Sequence, residues 1–349
     1  MSPELIDDPA ASVDLSGRKF LVAGGAGYIG AHVCKAVAEA GGVPVTLDDL
    51  SAGHADAVRW GPLERVDLRD RAATAAMLAR HADAAAVIHL ASSIEVGLGE
   101  RDPAGFYDNN VLGALNLLHG MREAGLDRLV FSSTCATYAE GAPVPLSEDA
   151  PQAPVSVYGR TKLAVEHMIE SFHAAYGLAF VTFRYFNACG ADASGLIGEC
   201  HDPETHLIPL AIRAALHPRP DGEPSLAVFG TDYDTPDGTC LRDYVHVTDI
   251  ARAHLLALAA MDDGLARASL NIGTGSGLSV LQIIEAVREA TGADLPVRLA
   301  ARRPGDLSKL YADPSRAREV IGFTARHSDL RTIIGSAVAF HTRQDGPGR

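Results

Sequence analysis

The stretch that decides the fold is "KFLVAGGAGYIG", from Lys19 to Gly30. Its first residues are apolar and suit a short buried strand, and the residues after it have helical spacing up to a "GG" pair. Between these two patterns stand Gly24, Gly27 and Gly30. Glycines allow a tight turn and let the backbone approach a diphosphate, and the following helix N-terminus offers free N–H groups. The stretch therefore predicts a dinucleotide site directly after the first strand.

The next predicted strand, "VPVTLDD", ends in an acidic residue, Asp48, at about the ~20-residue distance expected of a ribose-binding carboxylate. A carboxylate here would repel the 2′-phosphate of NADP, and no arginine stands beside it. We therefore predict NAD as the cofactor. The alternative is that Asp48 or Asp49 simply caps a helix beginning in "DDLSAG".

Strand and helix patterns alternate through the first half of the chain. After the first two strands, a helical stretch leads to the strand "LERVD", and a helix follows from Asp70 to His81. The strand "AAVIHLA", a long helix from about Pro103 to Gly125, and the strands "RLVFSS" and "LAFVTFRYF" complete this half, with a helix between the last two. This order predicts an α/β fold with a Rossmann-type doubly wound parallel sheet and a smaller mixed α/β substrate-binding lobe.

The chain divides into three parts in this interpretation. Residues 1–17 form an N-terminal arm that we expect to be disordered, and residues 18–187 form the NAD-binding Rossmann domain. Residues 188–349 are rich in Gly, Pro and Asp at first and form mainly the substrate-binding lobe. Segments near 240–275 ("YVHVTDIARAH" and "SLNIGTG") are predicted to return to the main sheet, and one helix is predicted near Leu207–Leu216.

Composition narrows the function classes. The formal net charge of −14 over 349 residues disfavours nucleic acid and anionic membrane surfaces as partners. Five cysteines are scattered without a C-x-x-C pair, which favours a reducing cytoplasm. The polar stretch "GECHDPETH" fits no standard zinc spacing, so we expect no metal.

The stretch "SVYGRTK" places Tyr158 and Lys162 four residues apart, on one face of a helix. A nearby lysine cation stabilises a phenolate, so the pair suits proton exchange with an alcohol, although an ordinary exposed pair has the same spacing. The order along the chain favours the chemical interpretation. A glycine loop comes first, a hydroxyl-rich strand end "SSTCATY" second, and the Tyr/Lys helix third, so Thr134 would complete a hydrogen-bond relay.

From about Lys19 to Phe323, the chain resembles the UDP-glucose 4-epimerase family of the extended short-chain dehydrogenase/reductase superfamily. The segments that carry the resemblance include "GGAGYIG", "YDNNVLGALNLL", "YGRTK", "RYFNACGAD", "HLIPLA" and, most specifically, "VFGTDYDTPDGTCLRDYVHVTDIARAH". The resemblance implies interconversion of UDP-galactose and UDP-glucose through a 4-keto sugar on tightly bound NAD, in a homodimer. A UDP-xylose/UDP-arabinose 4-epimerase and a non-catalytic NAD-binding sensor on the same fold remain as alternatives.

The resemblance also assigns residues by position. It implies catalytic roles for Tyr158 (acid/base), Lys162 and Thr134. The positions that match cofactor contacts are Gly24, Gly27, Tyr28, Ile29, Asp48, Asp67, Leu68, Ala91, Asn109, Lys162 and Tyr185. The positions that match UDP-sugar contacts are Thr134, Asn187, Leu207, Ala227, Phe229, Arg242, Arg303, Asp306 and Leu310. Arg242 and Arg303 can pair bidentately with a diphosphate and supply positive charge to an acidic protein, and Phe229 can pack on uracil.

Several positions bear on the chemistry. Cys135 and Ala136 follow Thr134, where related sugar dehydratases carry an Asp–Glu pair, so the chemistry should stop at reversible oxidation of C4. Leu310 stands where members confined to unacetylated sugars often carry tyrosine, which predicts room for an N-acetyl group. The chain departs from the family pattern at Ala23, at Val96–Gly99, at Ala139 and at Val157, where proline is usual.

Overall fold

The computed structural model describes residues 8–219, 221, 223–303 and 306–344. Its strands are β1 (Lys19–Ala23), β2 (Val43–Asp48), β3 (Leu63–Arg65), β4 (Ala86–His89), β5 (Arg128–Thr134), β6 (Ala179–Tyr185), β7 (Asn187–Cys189), β8 (Leu226–Phe229), β9 (Leu241–Arg242), β10 (Tyr244–His246), β11 (Arg267–Ile272), β12 (Leu278–Ser279), β13 (Val297–Ala300) and β14 (Lys309–Leu310). Its helices are α1 (Tyr28–Glu39), α2 (Arg71–Arg80), α3 (Val96–Arg101), α4 (Pro103–Tyr107), α5 (Gly113–Ala124), α6 (Val157–Tyr176), α7 (Leu207–Leu216), α8 (Val247–Asp262), α9 (Val280–Thr291), α10 (Ser315–Ile321) and α11 (Leu330–Gln344).

The central sheet has seven strands in the order β3-β2-β1-β4-β5-β6-β11, and every pairing in it is parallel. Its inner strands are apolar on both faces because helices cover both sides. The prediction of a doubly wound α/β sheet is therefore confirmed. Strand order reverses between β1 and β4, and ligands of such folds bind in the crevice at that reversal.

Two apolar layers enclose the sheet. One core cluster packs α1 and α8 against it, with Val33, Val37 and Leu258 fully or nearly fully buried. The other packs α2, α5 and α6 against the opposite face. The predicted long helix after Pro103 is present as α4, a π-helical turn over Asp108–Leu112, and α5. Gly125, directly after α5, adopts the left-handed conformation that ends the helix.

A separate core cluster belongs to the second half of the chain. It joins α7, α9 and α11 around Ile212, Ile283 and Ile333. Beside it lie the two-stranded sheet β13-β8 and the three-stranded sheet β12-β9-β14. The predicted helix near Leu207–Leu216 is confirmed as α7.

Three sequence predictions are wrong in detail. Of the segments near 240–275, only β11 joins the main sheet, because β10 pairs instead with β7, a short continuation of the chain beyond β6. The helical stretch expected after β2 is a single 3-10 turn over Ala55–Ala57. From Asp8 onward the N-terminal arm is ordered, since Leu15 is fully buried and Asp8 binds Arg252 at 2.5 Å. Residues 1–7 of that arm lie outside the described residues.

None of the helices in the described part of the chain is long and apolar enough to cross a membrane.

Candidate active site

The glycine loop lies at the reversal of strand order and packs backbone against backbone. Gly24 has a φ of +81°, and a Cβ there would meet the Ala91 backbone nitrogen at 2.5 Å. A Cβ on Gly30 would come within 2.0 Å of the Gly24 carbonyl oxygen. Gly27, in contrast, has only the Gly24 oxygen within reach, at 3.3 Å, so its outer side is open. The loop is a cradle that a side chain would fill, and it fits a dinucleotide diphosphate.

Asp48 closes this cradle at the end of β2. Its carboxylate accepts hydrogen bonds from the backbone N–H groups of Ala26 in the glycine loop (3.1 Å) and Leu50 (2.9 Å). Burial raises its pKa, and those two hydrogen bonds oppose the shift. No helix begins at Asp48, so the capping alternative is wrong for this residue. The Asp49 carboxylate instead accepts a hydrogen bond from the Ser51 backbone N–H in a local turn. The placement of Asp48 fits a ribose-binding carboxylate.

The other positions assigned to the cofactor make the following contacts. Ala91 touches the glycine loop, and the Asn109 amide donates to Ser93 Oγ (2.9 Å) in the loop after β4. Tyr28 donates to the Gly190 carbonyl (2.6 Å), which ties the loop to the chain after β7. Ile29 packs against the core cluster that α1 and α8 share. Asp67 pairs with Arg69 (2.8 Å), and the Leu68 carbonyl accepts a hydrogen bond from the Asn116 amide (2.9 Å). Tyr185 is buried, with its hydroxyl 2.8 Å from His254 Nε2.

Alanine at Gly30 and at Gly27 should have different effects. At Gly30 the backbone collision is expected to lower the free energy of unfolding by about 1–3 kcal/mol, as overpacking does, and to release the cofactor. At Gly27 we expect cofactor loss with a melting temperature that falls only to that of the wild-type chain freed of nucleotide, because a ligand bound to the native state stabilises it. Thermal unfolding, together with the nucleotide released on denaturation, measures both effects. Equal melting temperatures for the two variants would contradict the assignment of Gly30 as the packing glycine.

The three predicted catalytic side chains meet at the carboxyl end of β5. Thr134 is the last residue of β5, and its hydroxyl lies beside the Tyr158 phenol. Tyr158 stands in the first turn of α6, where Ser156 caps the helix by accepting from Gly159 N (3.0 Å). Lys162 is buried one turn later, and its Nζ donates to the Ser132 carbonyl at 2.9 Å. The three predicted catalytic residues therefore come from the end of β5 and the beginning of α6.

The electrostatics differ from the sequence prediction. Burial raises the pKa of Tyr158 above the usual range of a phenol, and the Thr134 hydroxyl opposes this. Burial lowers the pKa of Lys162 to about 7, against the charge of Glu166. The predicted lowering of the Tyr158 pKa by Lys162 is not found, because Nζ is turned to Ser132 and lies 5.9 Å from the centre of the phenol ring.

Two supporting networks escaped the sequence analysis. Asn110 bridges the loop after β4 to α6, since its amide donates to the Ser93 carbonyl and to Thr161 Oγ1, both at 3.0 Å. Glu166, one turn beyond Lys162, accepts from Ser133 Oγ and from Arg184 Nη2 (2.7 Å). Neither network has a signal in the local sequence, because each joins residues that are distant along the chain.

One departure from the family pattern has a structural counterpart. Val157 stands where proline is usual, and its N–H donates to Glu100 Oε1 of α3 at 2.8 Å. A proline cannot make this bond because it has no N–H. The substitution thus couples α3, which contains the Val96–Gly99 departure, to the start of the helix that carries Tyr158.

Several positions assigned to the UDP-sugar contact one another or lie on one strand. Arg242 donates to the Leu307 carbonyl (2.7 Å) and contacts Asp306 (3.4 Å). The Arg303 guanidinium lies 3.8 Å over the Phe229 ring. Asn187 donates to the Asp243 carbonyl (3.1 Å), which connects it to the strand of Arg242. Ala227 lies on the same half-buried side of β8 as Phe229, and Leu207 begins α7.

Leu310 lies close to the catalytic end of β5. It pairs with Arg242 in the β14–β9 ladder and, like Cys135, which follows Thr134, packs against a small apolar cluster that includes Phe186. Burial raises the pKa of the Cys135 thiol to about 12, so it stays protonated. The predicted specificity position, Leu310, and the residue that follows Thr134 therefore contact the same apolar cluster.

Comparison with known proteins agrees with this geometry. Residues 20–273 match the model of the NAD dependent epimerase/dehydratase family. The chain is 47% identical over 334 residues to the UDP-glucose 4-epimerase of Rhizobium meliloti (strain 1021), covering 96% of this chain and 100% of that protein.

Two solved structures resemble the fold over nearly its whole length. The UDP-glucose 4-epimerase of Brucella ovis in complex with NAD is 47% identical, with a TM-score of 0.88, covering 93% of this chain and 98% of that one. The enzyme of Stenotrophomonas maltophila with bound NAD and formylated UDP-arabinopyranose is 38% identical, with a TM-score of 0.89, covering 94% and 98%. With its glycine cradle, Asp48 and the Tyr158–Lys162 helix, the chain belongs to the UDP-glucose 4-epimerases of the NAD dependent epimerase/dehydratase family.

Proposed function

We propose that the protein interconverts UDP-galactose and UDP-glucose with NAD held throughout turnover. The observation that carries this proposal is the meeting of Thr134, Tyr158 and Lys162 at the carboxyl end of β5, two strands away from the glycine cradle. That distance suits a sugar ring held between the three side chains and a cofactor that extends along the sheet edge from the cradle.

Each side chain has a distinct task in the proposed reaction. Bound NAD would supply the acceptor for the C4 hydride, its donor when the 4-keto sugar is reduced again, and a positive charge near the phenol. Tyr158 Oη accepts the proton of the 4-hydroxyl and returns it after the 4-keto sugar has turned over in the pocket, so that C4 is reduced on its opposite face. Thr134 Oγ1 orients that hydroxyl, and the protonated Lys162 Nζ, 5.9 Å from the centre of the phenol ring, stabilises the phenolate by turning towards it from the Ser132 carbonyl.

Arginines and aromatic rings support the UDP assignment. Arg242 and Arg303 are the proposed diphosphate ligands, and among the described residues Arg242 contacts a single carboxylate, that of Asp306 at 3.4 Å, which a diphosphate can replace. In this arrangement Arg303 covers Phe229, so we propose that uracil binding displaces the guanidinium from the ring and turns it towards the diphosphate.

The test is a proton NMR time course with UDP-galactose and UDP-N-acetylgalactosamine in separate tubes, without added NAD. Conversion of UDP-galactose to its gluco epimer supports the proposal and shows that NAD co-purifies. No reaction of either sugar, even after NAD is supplied, contradicts it. In that case UDP-xylose and UDP-arabinose separate the pentose epimerase from a non-catalytic NAD-binding sensor.

Leu310 predicts that the N-acetylated sugar is also a substrate. Replacing Leu310 with Tyr adds a larger side chain beside the apolar cluster that Cys135 also contacts. We expect kcat/KM for UDP-N-acetylgalactosamine to fall roughly 10–200-fold, the range of a small steric change in a pocket, with a much smaller change for UDP-galactose. The same NMR assay measures both. Equal losses on the two sugars would show that Leu310 does not set specificity, and Leu281→Met on α9 is a distant control.

We also propose a cytoplasmic homodimer. All five cysteines are free, which supports a reducing compartment. Tyr107 and Leu112, at the junction of α4 and α5, leave 42% and 41% of their surface exposed, while the apolar residues of α5 already pack in the core. Light scattering that gives twice the chain mass supports the dimer, and a single chain mass contradicts it.

A further inference from the structure

Four side chains with metal-binding atoms converge in the segment between β7 and α7. They belong to Glu199, His201, Glu204 and His206, and one ligand atom from each lies within 4.8 Å of all the others. Glu199 is buried, and His206 is the most exposed of the four. The segment covers only eight residues, so its backbone folds back to bring these side chains together.

Most imidazole–carboxylate distances within the cluster are longer than hydrogen bonds. Of these pairs only His206 Nδ1 and Glu199 Oε1, at 2.7 Å, are at hydrogen-bond length, while Glu204 Oε1 accepts from the backbone N–H groups of Thr205 (2.8 Å) and His206 (2.9 Å). His206 Nδ1 lies 3.4 Å from Glu204, and His201 Nδ1 lies 3.5 Å from Glu199 and 3.6 Å from Glu204. His201 Nδ1 is buried and has no hydrogen-bond partner within the described part of the chain.

These longer distances fit a cation at the centre instead. Zinc binds imidazole nitrogen and carboxylate oxygen at about 2.0–2.2 Å, which places neighbouring ligand atoms of a tetrahedron roughly 3.3–3.6 Å apart. Both distances from His201 Nδ1, 3.5 Å to Glu199 Oε1 and 3.6 Å to Glu204 Oε2, fall in or close to this range. Two imidazoles and two carboxylates also form a donor set that suits borderline divalent ions.

We propose that Glu199, His201, Glu204 and His206 bind one divalent transition-metal ion of the zinc class. The expectation of no metal rested on linear spacing, which fits no standard zinc pattern, whereas the site depends on the folded path of the segment. The rival explanation is a pair of imidazolium ions held by the two carboxylates. Burial alone would lower the pKa of each histidine, but the carboxylates raise that of His201 to about 9 and that of His206 to about 10.

The location gives the ion a role. His201 packs edge-on against Tyr28 of the glycine loop, with ring centres 6.3 Å apart. The neighbouring Cys200 carbonyl lies 2.9 Å from His54 Nε2, in the loop that follows Asp48. The segment thus contacts both sides of the cradle. An ion that fastens it would slow the escape of the dinucleotide, and this second part rests on the proposed function.

The test uses the full chain and the metal alone. Protein freed of metal by chelator dialysis is titrated with Co²⁺ and with Zn²⁺, and the visible absorption of tetrahedral Co²⁺, displaced by Zn²⁺, reports the site. We expect one ion per chain, with affinity reduced in His201→Ala and in Glu204→Gln by more than the roughly 10–100-fold typical of removing a supporting group. Cys200→Ser, beside the ligands, should bind normally.

The outcome that overturns the proposal is a metal-free wild type that binds no Co²⁺, or variants that bind it as well as wild type does. A variant that fails to fold is recognised by circular dichroism, and the wild-type titration then decides, because Zn²⁺ must raise its melting temperature if it binds the native state. The rate of NAD release with and without metal is a separate readout. Metal binding without epimerase activity would contradict only the proposed function.

Discussion

The Tyr158→Phe variant is expected to lose about 10²–10⁴-fold in kcat for UDP-galactose, the usual contribution of a positioned acid/base group. The variant lacks only the oxygen that would accept the proton of the sugar hydroxyl. Phenylalanine keeps the ring in place beside Lys162, whose Nζ remains bound to the Ser132 carbonyl. Bound NAD should therefore be retained.

Proton NMR measures the turnover, and the nucleotide released by denaturation measures the retained NAD. Tyr176→Phe is the matched control, because Tyr176 ends the same helix and its ring lies on the surface under Arg122. That variant should keep full activity. Wild-type turnover in Tyr158→Phe would remove Tyr158 from the chemistry, and a variant without NAD would reveal a binding role instead.

The second large effect concerns the buried pair of Glu166 and Arg184, which are 6% and 5% exposed. Glu166→Gln leaves the Arg184 cation buried without its partner, and breaking such a pair costs about 3–5 kcal/mol of unfolding free energy. Glu166 also holds α6 to Ser133 of β5. We therefore expect kcat to fall as well, because the register of Tyr158 against Thr134 depends on that contact.

Urea unfolding measures the loss of stability. The control is Glu285→Gln, which breaks the exposed pair with Arg288 (3.2 Å) on α9 and should cost less than about 1 kcal/mol. Replacing both buried partners with apolar residues, Glu166→Leu with Arg184→Met, should recover much of the stability without the activity. A Glu166→Gln variant as stable as the Glu285→Gln control would contradict this account.

Local patterns carried most of the predicted fold. Apolar runs of strand length alternating with helical spacing indicate a parallel sheet, since each element must bury its own apolar face. The same applies to the glycine cradle, Asp48 and the Tyr158–Lys162 helix, whose members are separated by short stretches of chain. The proximity of Thr134 to Tyr158 follows because a helix that comes after a parallel strand begins at the edge of the sheet where that strand ends.

Other features were decided by contacts between distant parts of the chain. The pairing of β10 with β7, the ordering of Asp8 by Arg252, and the stacking of Arg303 on Phe229 each join residues more than fifty positions apart. A contact between different elements also turns Lys162 of α6 to Ser132 of β5 rather than towards the phenol. Local spacing is enough to predict which elements form and where a dinucleotide cradle begins. It cannot predict which buried polar groups meet, because burial makes each of them take whatever partner the packed chain brings within reach.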